Sequence, residues 1–146
     1  MDAPKVDRVL VAVDGSDESM VAVDHAVAVA DRYAAELVVL YVLPREKYQA
    51  MAVGEVAVEA ISETAQSVLA DAANVGETAG LSVRQATAYG FSPYRKLTHP
   101  GSVVLDVAED FVADLLVIPR EREAGATLGK AATYVLEYAS QPVLAV

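Results

Sequence analysis

No cysteine occurs in this chain of 146 residues, which excludes disulfides, thiol nucleophiles and cysteine-held metal. Histidine is limited to His25 and His99, so no zinc signature can be assembled and no metal is expected. Lysine is confined to Lys5, Lys47, Lys96 and Lys130, and 11 Lys+Arg stand against 21 Asp+Glu, for a formal net charge of −10. A field of that sign repels nucleic acid and acidic membranes, and neither is expected as a partner. Long apolar runs are also missing: none approaches the length that crosses a bilayer. Met1 to Lys5 carries neither the basic nor the apolar region of a signal peptide, and a cytoplasmic protein is expected.

What is present is a dense apolar interior. Hydrophobic residues make up 54% of the chain, which argues against disorder, and 146 residues fit one domain spanning 1–146 with a real core. Abundant surface acid, scarce lysine and Ala/Val-rich apolar segments suit a salt-loaded cytoplasm, where such charges are screened, and we expect a halophilic protein.

Along the chain, Val9 to Val13 reads as a strand buried on both faces. It stops at Asp14-Gly15-Ser16, with Ser16 placed to cap a helix from about Ser16 to Tyr33. Asp17, Asp24 and Asp31 recur on the wet side of that helix, and Met20, Val23, Val27 and Ala30 form its buried stripe. Leu37 to Val42 is a second buried strand, and Leu43 to about Ala52, with Pro44, reads as a loop. A helix follows from roughly Gly54 to Val75, with Val58, Ile61, Ala65, Val68 and Ala72 inward and Glu55, Glu59 and Glu63 on a solvated face. Val83 to Ala88 carries Arg84, Gln85 and Thr87, the polarity of an edge strand. After a long loop come a helix near Ser102 to Val112, a strand from Leu115 to Ile118, a helix from about Lys130 to Tyr138, and a last strand from Val143 to Val146. Strands alternating with helices, with the most apolar strands in the middle, indicate a doubly wound parallel α/β sheet.

Several strings in this order resemble the universal stress protein family across nearly the whole chain. They are VLVAVDGS (Val9 to Ser16), LVVLYV (Leu37 to Val42), ADLLVI (Ala113 to Ile118) and YVLEYASQPVLAV (Tyr134 to Val146). The resemblance implies a five-stranded parallel sheet in order 3-2-1-4-5 with helices on both faces, a homodimer, and a part in the stress response. In one branch of the family it also implies an ATP site at the carboxyl edge. The positions matching its adenosine end are Ala12, Asp14 and Val42, where a carboxylate can accept from ribose or base and a strand-end backbone can pair with adenine.

The phosphate end departs from that pattern. Nucleotide-binding members carry glycines spaced G-x2-G-x9-G and followed by Ser or Thr, because backbone N–H groups must approach phosphate closely. Here the first position is Pro119, which has no N–H, and the second is Arg122. The last matches Gly129, but the loop is about three residues short and Lys130 replaces the hydroxyl. ATP therefore stays open as a ligand only through a rebuilt grip at the start of the following helix, made of Gly125, Gly129, Lys130 and Ala131.

A second departure is the insertion-like loop Phe91 to Gly101, which gathers Arg95, Lys96 and His99 beside Phe91 and Tyr94. It reads either as an ordinary surface excursion or as a dock for a small anionic ligand or partner. No catalytic set is evident: Ser16 is better explained as a cap than as a nucleophile, and His25 lies at the solvent face of its helix. We expect no enzyme. The final strand, Val143, Leu144, Ala145 and Val146, is wholly apolar at a sheet edge that no charge protects, and homodimer pairing through it is expected.

Overall fold

The first strand, β1 (Arg8–Val13), is buried from Val9 onward because it occupies the centre of the sheet with a helical layer on each face. This computed structural model describes residues 5–43, 45–89, 99–120 and 127–146. After β1 come α1 (Asp17–Tyr33), β2 (Glu36–Leu43), α2 (Arg45–Ala52), α3 (Val58–Thr78), β3 (Val83–Tyr89), α4 (Pro100–Asp110), β4 (Leu115–Ile118), α5 (Thr127–Tyr138) and β5 (Val143–Ala145). The five strands are parallel in the order β3-β2-β1-β4-β5, as expected.

Alternation along the central strands divides the interior into two layers. Val9, Val11 and Val13, with Leu37, Val39 and Tyr41, pack under α1 and α3. Leu10 and Ala12, with Val38, Leu40 and Val42, pack under α4 and α5. At the amino edge, Oδ2 of Asp114 accepts from the N–H groups of Asp7 at 2.8 Å and Arg8 at 3.1 Å, which locks the starts of β1 and β4 together. Arg84 of β3 lies 3.0 Å from Glu36, so this charge on the edge strand is paired.

Several boundaries differ from the sequence expectation. The Leu43–Ala52 loop is instead the end of β2 followed by α2: a proline can precede a helix as readily as it ends one, and Arg45 to Ala52 is rich in helix formers. Helix α3 starts at Val58, not Gly54, and runs on to Thr78; Gly80, with φ of +85°, follows its end. Val58 is consequently 60% exposed rather than part of the inner stripe, and Glu55 lies outside the helix that carries Glu59 and Glu63. Helix α4 opens two residues early, at Pro100, and α5 three residues early, at Thr127. The wet-face reading of α1 holds: Asp17, Asp24, His25 and Asp31 are all exposed. Among the described residues no helix is long and apolar enough to cross a membrane.

Candidate functional site

Parallel order with β1 central places the reversal of strand order between β1 and β4, so the loops leaving their carboxyl ends flank a crevice. The β1 side is a closed hydrogen-bonded turn. Gly15 sits at φ +90°, a conformation that side chains disfavour, and brings the chain round into α1. Oδ1 of Asp14 accepts from the Ser16 N–H at 2.9 Å and from the Ser16 hydroxyl. The Ser16 hydroxyl oxygen accepts in turn from the Ser19 N–H at 3.2 Å, the expected helix cap. Ser19, fully buried, donates its hydroxyl to the Ser16 carbonyl at 2.9 Å and lies 3.4 Å from the Asp14 N–H as acceptor. Sequence reasoning missed Ser19; its signal was the Ser-x-x-Ser spacing across a strand-to-helix turn. One oxygen of Asp14 is thus engaged, while Oδ2 has no partner among the described residues and is the atom available to a ligand.

Ala12 and Val42 are fully buried, and their side chains belong to the layer under α4 and α5. They border the crevice through backbone alone. Neighbouring Tyr41, paired with Val13, was not singled out by sequence although it interrupts a Val/Leu run. It is fully buried, and its hydroxyl has no hydrogen-bond partner among the described residues. Desolvation first, and the Asp14 charge second, raise its pKa above the ordinary 10.0. Leaving a buried hydroxyl unpaired costs about 1–3 kcal/mol.

On the β4 side, Pro119 is buried and offers no N–H. The next N–H, that of Arg120, donates to the Val146 carbonyl at 2.8 Å, and Arg120 Nε donates to the Ala145 carbonyl at 3.1 Å. Val146 N–H donates back to Ile118 at 3.1 Å, so the pairing of β4 with the chain end continues past both strands. The start of the loop is therefore tied to β5 and turned away from phosphate duty. Gly125 and Arg122 lie outside the described residues. Because α5 begins at Thr127, Gly129, Lys130 and Ala131 fall within its first turns rather than before it. Lys130 is exposed, whereas Ala131 is fully buried in the core and its N–H falls within the hydrogen-bonded body of the helix.

Elsewhere, Phe91, Tyr94, Arg95 and Lys96 lie outside the described residues. Of that cluster only His99 is described: its Nδ1 accepts from the Gly101 N–H at 3.0 Å, capping α4, and its ring stacks on Tyr134 at 4.6 Å. Among the described residues strand β5 pairs with β4 alone, its outer edge faces no other strand, and Leu144 is 36% exposed. Among the described residues no group of three or more His, Asp or Glu could hold a metal ion.

A model of the universal stress protein family matches residues 5–146. The chain belongs to the universal stress protein family. Solved structures agree with that fold. A universal stress protein in complex with cAMP is 24% identical, with 98% of each chain covered and a TM-score of 0.70. A family member from Burkholderia pseudomallei is 22% identical, with 99% of this chain and 98% of that one covered and a TM-score of 0.72. The universal stress protein from Archaeoglobus fulgidus in complex with dAMP is 21% identical, with 95% of this chain and 96% of that one covered and a TM-score of 0.67. A comparison with curated proteins finds no match.

Proposed function

We propose that this universal stress protein is a dimeric, non-catalytic binding and regulatory module of the stress response whose crevice does not grip a triphosphate through the family's glycine loop. The supporting observation is the bond from Arg120 N–H to Val146: the first two backbone positions beyond β4 offer no free N–H, one because it is proline and the other because it is engaged. The apolar outer edge of β5 supports a two-fold pairing of Val143 to Val146 with a second copy.

The test is calorimetric titration of the protein with ATP and Mg²⁺ in high KCl, with the stock assayed for co-purified nucleotide, and light scattering on the same sample. A dimer without saturable ATP binding is expected. A monomer at micromolar concentration refutes the pairing, and micromolar ATP affinity refutes the loss of grip.

The second reading is an adenine-nucleotide sensor that uses the Gly125–Ala131 segment. It is favoured by exposed Lys130 near the start of α5, by Oδ2 of Asp14, which has no partner among the described residues, and by two structural relatives that hold cAMP and dAMP, each with a single phosphate. Under this reading AMP binds in the same titration, and Lys130→Ala weakens it severely.

A further inference from the structure

Helix α4 opens with Pro100, which has no N–H, and with Gly101, whose N–H donates to Nδ1 of His99 at 3.0 Å. Only an unprotonated ring nitrogen can accept, so this bond places the imidazole proton on Nε2 and keeps the ring neutral. Among the described residues the Gly101 N–H has no other acceptor. Gly101 is itself buried, and a Cβ there would lie 2.6 Å from Cβ of Tyr134, so little space is left for a substitute. The His99 ring stacks on that same Tyr134, with centroids 4.6 Å apart and planes 16° from parallel. One imidazole therefore ties the start of α4 to α5.

We propose that His99 is an acid-sensitive latch: a proton on Nδ1 releases the first turn of α4 and loosens its seat on α5. Protonation would turn the acceptor into a donor facing a donor, leaving a buried N–H unpaired. It would also set a cation at the positive end of the α4 dipole. Stacking on Tyr134 pulls the other way, since a ring face favours a cation, but such contacts at open sites are weaker than the cost of an orphaned buried donor. The other ionisable groups near the ring are few. On α5, Lys130 lies one turn before Tyr134, and Glu137 and Tyr138 one turn after it, all three exposed; on α4 the nearest is exposed Asp106. No ion pair to His99 forms among the described residues. The latch stands whether or not the crevice takes a nucleotide.

The sign follows from the bond. At pH 8 an imidazole is neutral in both the folded and the unfolded chain, and the cap contributes fully. As pH falls past about 6.5 the unfolded ring takes its proton freely, whereas the folded ring must give up the Gly101 N–H, so stability is lost.

Urea unfolding of the parent and of His99→Asn is compared at pH 8 and pH 5.5 in molar KCl, which screens the field of the −10 charge. Asparagine caps helices without titrating, and His25 and the carboxylates act equally in both chains. Between the two pH values the unfolding constant of the parent should rise about fivefold more than that of His99→Asn, as for loss of one cap. Equal pH responses overturn the proposal. In the parent alone, the Gly101 amide resonance should shift together with the His99 ring as it titrates, while that of Val11 in β1 stays fixed. A Gly101 resonance indifferent to that titration overturns it as well.

Discussion

Arg120 and Val146 are joined by a 2.8 Å hydrogen bond from backbone N–H to carbonyl, which fastens the exit of β4 to the final residue. Replacing Pro119 alone therefore does not rebuild a phosphate loop. Pro119→Gly should leave ATP affinity unchanged in calorimetry while lowering stability by about 1 kcal/mol, mainly because glycine frees the unfolded chain. A shift in the urea midpoint with an unaltered ATP titration is the expected pair of results. A gain of ATP binding would mean that the missing N–H was the whole defect.

Gly101, at the start of α4, touches α5 so closely that a Cβ placed there would lie 2.6 Å from Cβ and 2.7 Å from Cδ1 of Tyr134. Tyr134 is held in place by the His99 ring stacked on it and by contact with Tyr138 at 4.6 Å. Gly101→Ala should thus destabilise the protein by about 1–3 kcal/mol through overpacking. Equilibrium urea unfolding checks this, and a stability equal to the parent would show that the two helices separate freely.

The raised pKa of Tyr41 sets a pH dependence at the alkaline end. Below the ordinary value of 10.0 the phenol is neutral both folded and unfolded, and its contribution to stability is fully present. As pH rises above that value the unfolded phenol ionises first, so stability is lost progressively up to the folded pKa. The melting temperature should therefore fall between pH 10 and 11.5 more steeply in the parent than in Tyr41→Phe. Parallel slopes would contradict the burial of the hydroxyl.

Charge predicts the response to salt. Asp17, Asp24 and Asp31 line one exposed side of α1, and the chain as a whole carries −10, so self-repulsion opposes the compact state in dilute buffer. Melting temperature should climb as KCl rises from low to molar concentration. A flat profile would remove the case for a halophilic protein.

The strands were legible because burial on both faces leaves a plain mark: Val9 to Val13 and Leu37 to Val42 are unbroken apolar runs, and Arg84 and Gln85 betray an edge. Helix ends were less legible. Pro100 opens α4 behind His99, an unusual cap, and Thr127 opens α5 after a segment that shows little apolar periodicity. The site was half readable. Asp14 and Ser16 follow from turn chemistry, and Pro119 from its missing N–H. The engagement of Arg120 with Val146 was not readable, because 26 residues of sequence separate partners that only the sheet brings together. Tyr41 looked like one more apolar strand residue; only the fold shows its hydroxyl buried without a partner among the described residues.

The central position of β1 also has a bearing on biosynthesis. Its neighbour on one side, β2, leaves the ribosome soon after it, but its neighbour on the other, β4, is made roughly a hundred residues later. A nascent half-sheet of β3, β2 and β1 would expose the long apolar flank of β1 throughout that interval. The segment from Val9 to Val13 is consequently where a holdase chaperone would be expected to cover the growing chain.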